Sequence, residues 1–277
     1  LIFVLSEKTA LSYETEDEKG DIRMKISSRL IMLILAALLT TAGCSHLKTS
    51  EGFNAPEWFE TGNRAITADK WNEALDAFNK AIELDPEYTA AYHSRGLAHY
   101  YLGNYNQAID DYKKAVELYP PDKRSSAKRA EAWVSSGDAW IKLGNYNQAI
   151  AEYNKAVEAN PLSASAFYNR GLAYYYLDNF NQAIADYSEV IRLTPADVHA
   201  YVDRGDAWVK LGKPDQAISD YSKAVEVNPE FALAWYKRGL AYNASGNNNQ
   251  ADTDCKKAAM LGLKEAQDYL KKKKAAR

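Results

Sequence analysis

From residue 55 onward, apolar and small residues recur three and four positions apart in runs of about a dozen, and short polar breaks separate the runs. Residues 164–197, ASAFYNRGLAYYYLDNFNQAIADYSEVIRLTPAD, show the pattern most clearly. Phe167, Gly171 and Tyr174 share one face of a helix, and Ala183, Tyr187 and Val190 share one face of a second. The pattern predicts two antiparallel amphipathic helices joined by a tight break. The same pattern occurs six times, over residues 55–88, 89–122, 130–163, 164–197, 198–231 and 232–266. Self-similarity at a fixed period sets the architecture before any local reading does.

Each copy has an aromatic residue at its fourth position: Trp58, Tyr92, Trp133, Phe167, Tyr201 and Trp235. The eighth is always glycine, from Gly62 to Gly239, and the twentieth always alanine, from Ala74 to Ala251. The twenty-fourth is Phe78, Tyr112, Tyr153, Tyr187, Tyr221 and then Cys255. Glycine and alanine let the two helices approach closely, and the aromatics fill the space beside them. Gly103-Asn104, Gly144-Asn145 and Gly246-Asn247 offer a left-handed stop followed by a cap. Gln107, Gln148 and Gln182, three residues after Asn104, Asn145 and Asn179, suit capping boxes. Pro214 falls in a first helical turn, where proline is tolerated. Pro86, Pro120, Pro161, Pro195 and Pro229 close five of the copies.

These positions resemble the tetratricopeptide repeat (TPR) family, over residues 55–266. The resemblance implies an all-α fold: a right-handed α-solenoid of about six helix-turn-helix repeats with a C-terminal capping helix. Departures are local, at Ala65, Cys255 and Leu263, where end copies of a stack serve as caps.

The remaining segments have other characters. Residues 1–23 are polar and acidic and read as an extension from a misplaced start, with translation beginning at Met24. Residues 24–43 combine Lys25 and Arg29 with an apolar run over 30–39, as in an export signal. Thr41-Ala42-Gly43-Cys44 resembles a bacterial lipobox. That resemblance implies lipidation at Cys44 and a membrane contact through the acyl anchor, and Ser45 after it favours the outer membrane, facing the periplasm. Ordinary signal cleavage nearby, giving a free exported protein, is the alternative. Residues 44–54 form a polar tether. Residues 123–129, KRSSAKR, interrupt the array; they extend the first helix of copy three, as a solvated end or as a docking projection. At the C-terminus a capping helix turns Leu263, Ala266 and Leu270 inward, and 267–277 forms its end and a basic tail with Lys271–Lys274.

A net charge of −3 gives no reason to expect a nucleic-acid partner. Two cysteines rule out a disulfide scaffold. His46, His93, His99 and His199 are scattered, and no ligand spacing, nucleotide loop or catalytic constellation is present. No metal, cofactor or enzymatic activity is expected. Arg95, Arg170, Arg204 and Arg238 recur at one position and Asp111, Asp186, Asp220 and Asp254 at another, as ion pairs within a repeat or between neighbours. Cys255 reads as a buried, inert thiol.

Copies two, four and six carry RGLAHYY, RGLAYYY and RGLAYNA, whereas copies three and five carry SGDAWIK and RGDAWVK. The alternation suits an extended ligand with a two-repeat rhythm, or records duplication alone. The family resemblance implies that first helices line a concave groove. It would be formed here by His93, Tyr100, Tyr101, Asp138, Lys142, Tyr168, Tyr175, Tyr176, Asp206, Lys210 and Tyr236. The carboxylate clamp of some relatives is missing, with Phe59, Asn63, Ser94, Glu131 and Ser135 in its places. The expected function is an envelope-anchored scaffold or assembly adaptor that binds a peptide or helical segment of other envelope proteins. Glycan binding, to peptidoglycan through the tyrosines, is the alternative, and an enzyme is a third class.

Overall fold

The computed structural model describes residues 52–275, which form thirteen helices and no strand. Six pairs follow one another: α1 (Ala55–Thr67) with α2 (Trp71–Leu84), α3 (Thr89–Tyr101) with α4 (Tyr105–Leu118), and α5 (Ser126–Lys142) with α6 (Tyr146–Ala159). Then come α7 (Ala164–Tyr176) with α8 (Phe180–Leu193), α9 (Val198–Lys210) with α10 (Pro214–Val227), and α11 (Ala232–Ala244) with α12 (Asn248–Met260). Helix α13 (Lys264–Ala275) packs on α12. The paired helix-turn-helix arrangement expected from the period is the one found. The export signal, Cys44 and the last two residues lie outside the described residues.

The glycine at the eighth position is a contact requirement. A methyl group on Gly96 would lie 2.8 Å from the Tyr112 ring, and one on Gly171 would lie 3.0 Å from Tyr187. Gly62, Gly137 and Gly205 are as tightly covered, by Phe78, Tyr153 and Tyr221. In copy six the smaller Cys255 takes the same place against Gly239. All these partner rings are fully buried, together with the alanines at the twentieth position. The core is therefore a column of rings lodged against bare backbone, one in each of the first five repeats, closed by the Cys255 thiol in the sixth.

The helix ends follow local chemistry with exceptions at Asn104, Ser125 and Asn179. Gly103, Gly144 and Gly246 have φ of 80°, 72° and 80°, as a left-handed stop requires. Asn145 and Asn247 accept from the backbone N–H of Gln148 and Gln250. Asn104 and Asn179 make no side-chain cap bond. Asn104 instead turns toward His99, its Nδ2 lying 3.5 Å from the imidazole Nδ1. The full reciprocal box forms at Asn54 and Glu57. Pro214 is the first residue of α10, where its missing N–H costs no helical bond. Helix α5 runs 17 residues against 13 for the first helices of the other copies, so the segment 123–129 adds four residues at its start.

The repeated arginines and aspartates join three helices at once. In copy two, Arg95 Nε and Nη2 donate to Asp111 at 2.9 and 2.6 Å. Nη1 donates across to Asn79 of the preceding copy at 2.8 Å. Arg170, Arg204 and Arg238 repeat the fork on Asp186, Asp220 and Asp254, and reach back to Asn154, Ser188 and Ser222. The ion pair is thus internal to each repeat, and the third nitrogen makes the joint with its neighbour. A planar guanidinium can hold a carboxylate with two parallel bonds and keep a donor in reserve, which lysine cannot do.

Candidate functional site in the groove of first helices

First helices of consecutive copies approach one another, α1 with α3, α3 with α5 and α5 with α7, while each second helix is wedged between two first helices. The side on which successive helices meet is the inner side of a curved stack. The groove residues expected from the sequence all lie on first helices.

They fall into distinct environments. Asp138, on α5, accepts from Tyr153 Oη at 2.6 Å and from Asn169 Nδ2 at 2.8 Å. Two copies later, Asp206 on α9 accepts from Tyr221 Oη at 2.7 Å and from Lys237 Nζ at 2.5 Å. Each aspartate therefore ties its own repeat's core tyrosine to the sixth position of the next repeat. In copies two, four and six its position is held by Leu97, Leu172 and Leu240, so the bond recurs every second copy. Tyr168 Oη donates to Asp203, a residue the sequence reading did not single out. Burial pushes the Asp138 and Asp203 carboxyls above the usual range, against the hydrogen bonds that pull them down.

The aromatic members stand in rows. Tyr101 stacks on Trp71 at 4.3 Å, and Tyr176 on Tyr146 at 5.2 Å. Tyr100 and Tyr175 meet them edge-on and continue to Tyr105 and Phe180. Tyr101 and Tyr176 are still 59% and 54% exposed, so each stack leaves surface for a partner. His93 is half-buried against Tyr112, and desolvation lowers its pKa. Tyr236 lies at the other end of the array, against Tyr269 of α13. Lys142 and Lys210 are exposed and make no ion pair among the described residues.

Three of the expected residues come together in one cavity. Tyr175, Asp206 and Lys210 line a volume of about 520 Å³ with Lys237, Val209 and Leu240. That lies within the range of small-ligand pockets. Lys237 and Leu240 were missed in the sequence. The available signal was that their positions, sixth and ninth, sit one turn apart on the face already assigned to the groove. Among the described residues there is no cluster of His, Cys, Asp and Glu able to hold a metal, and no helix long and apolar enough to cross a membrane.

Comparison with known proteins agrees with this geometry. A TPR repeat profile matches residues 62–103, 137–178 and 205–246. Tetratricopeptide repeat profiles match 89–122, 164–197 and 232–261. No curated protein matches the sequence. Among solved structures, a MamA protein is 27% identical with a TM-score of 0.56, over 65% of this chain and 94% of its own. YrrB, described as "a TPR protein with an unusual peptide-binding site", is 26% identical with a TM-score of 0.58, over 72% of this chain and 100% of its own. The C-terminal part of a TPR repeat-containing protein from Cytophaga hutchinsonii, 20% identical, shares the fold with a TM-score of 0.63, over 73% of this chain and 78% of its own. With six helix pairs, the glycine–ring contact in the first five and profile matches across all six copies, the chain belongs to the tetratricopeptide repeat family.

Proposed function

We propose that the protein is a binding scaffold whose inner groove holds a segment of another protein, and that it works at the cell envelope. The observation that carries the first half is the cavity lined by Tyr175, Asp206, Lys210 and Lys237, residues of three successive first helices. Tyrosines supply large contact area at small entropic cost, and the exposed Lys142 and Lys210 offer charge to a carboxylate. First helices in contact lie about 10 Å apart, so the two-repeat spacing of Lys142 and Lys210 is about 20 Å. An extended chain covers that with about six residues. The ligand is accordingly an extended segment with acidic residues about six apart. The tyrosine rings of the groove pack on other rings, which favours protein over glycan as the ligand. The envelope half rests on the lipobox-like Thr41–Cys44 and the apolar run before it.

Cross-linking in native cells tests the groove. Lys142→Glu with Lys210→Glu changes exposed charge and leaves the packing intact. Loss of a partner that the unaltered protein recovers, at equal thermal midpoint, is the expected result; equal recovery would move binding off the groove. For the anchor, Cys44→Ala should shift the protein from the membrane fraction to the soluble one, and unchanged partition would remove the acyl tether.

A further inference from the structure

Three interfaces join an odd copy to the even copy after it, and two of them are filled with rings. Between copies one and two the row is Trp71, Tyr101, Tyr100 and Tyr105, with centroids 4.3, 5.6 and 5.5 Å apart in turn. Between copies three and four it is Tyr146, Tyr176, Tyr175 and Phe180, at 5.2, 6.3 and 5.3 Å. The corresponding positions between copies five and six hold Pro214, Ala244, Asn243 and Asn248. The 520 Å³ cavity opens there, with Pro214 and Ala244 in its wall.

The protein's own repeats show what this place accepts. Trp71 and Tyr146 each carry a tyrosine ring from the next copy, and Pro214 offers an apolar ring edge in their place without one. Val209, 47% exposed, and Leu240, 37% exposed, supply further uncovered apolar surface at the cavity. The Asp206 carboxylate is already held by Lys237 and Tyr221. The uncommitted charge among the lining residues is therefore Lys210.

We propose that this cavity takes an aromatic side chain of the partner polypeptide. It would sit against Pro214 where Tyr101 and Tyr176 sit at the other two interfaces, with a neighbouring carboxylate of the partner on Lys210. The inference rests on the groove reading and names the anchor residue within it. Neither filled interface has room for the same anchor, so the fifth and sixth copies set the register of the bound segment.

The probe is p-cresol, the tyrosine side chain as a free molecule, titrated into the protein and followed by amide NMR. Saturable shifts centred on Val209, Leu240 and Ala241 are expected. Ala244→Tyr rebuilds the missing ring from within. It should weaken p-cresol binding at least tenfold with a thermal midpoint equal to or above that of the parent. Tyr101→Ala should open a second saturable site beside Trp71. Absence of saturation at Val209–Ala241, or undiminished binding to Ala244→Tyr, overturns the proposal. Partner cross-linking separates the two readings. If the lysine double variant loses the partner and Ala244→Tyr keeps it, the groove stands and the aromatic anchor falls. If neither loses it, both fall.

Discussion

Ser136 stands where four other copies have an arginine, and its hydroxyl is buried without a hydrogen-bond partner. The preceding copy explains the exchange. An arginine there would reach back toward Lys113, a cation, where the other arginines find Asn79, Asn154, Ser188 and Ser222. Its acidic counterpart, Glu152, is buried too and turns to Lys155 on its own helix at 3.4 Å. A buried hydroxyl with no partner costs about 1–3 kcal/mol. Ser136→Ala should therefore raise stability by about 1 kcal/mol, read as an increase in thermal midpoint. Cys255 tests the core from the other direction. Burial, the largest cause, and then Asp254 push its thiol up to about 11 from an ordinary 9.0. Burial likewise raises Tyr112, Tyr153, Tyr187 and Tyr221. Each raised acid keeps its proton in the folded chain after the unfolded chain has lost it. Their contribution to stability is thus fully present below pH 9 and declines as pH rises from about 9 through about 11. A denaturation midpoint that stays flat across that window would contradict the buried placement of these groups. At pH 7 Cys255 should resist alkylation in the folded protein and react once it is unfolded.

At the scale of the element, the three-way clamp decides how much each arginine matters. Arg204→Met leaves the carboxylate of Asp220, 5% exposed, without its fork, and also cuts the bond to Ser188. Removing one partner of a buried pair costs about 3–5 kcal/mol, while replacing both by apolar groups is often neutral. Arg204→Met should fall in that range, and Arg204→Met with Asp220→Leu should recover most of the loss. Thermal midpoints of the two variants decide it. The pairing was legible in the sequence because both residues keep fixed places in the repeat. The reach to the previous copy was not, because its acceptors change from asparagine to serine along the array. Caps were legible to the same degree. Glycine leaves little choice at Gly103 and Gly144, but Asn104 had a rival in His99 close enough to draw its side chain away. Pattern could likewise place a longer first helix in copy three. Only three-dimensional packing shows that the gain is four residues of the seven inserted.

Taken whole, the fold was readable because six imperfect copies constrain one another, and a departure in one is visible against the rest. The groove was readable only as a face. Which of its residues converge depends on a two-repeat alternation in the rings, and the cavity arises from positions that carry no chemistry of their own, Pro214 and Ala244. Copy one lacks the clamp altogether, with Thr61 and Ala77 at its two positions. In a linear array each copy is held by its neighbours alone, so a weak terminal copy opens first. Amides of α1 and α2 should therefore exchange with solvent before those of α7 to α10 under native conditions. Simultaneous exchange would mean that the array opens as one unit.

The chain of contacts from each second helix to the first helix that follows it runs from α2 through to α12. Such joints are arranged in series. A pull on the two ends would pass undiminished through every one, and the small rotations it caused would add. The array is thus a spring whose compliance grows with each copy, able to widen or narrow its groove along its whole length while every ring stays lodged against its glycine.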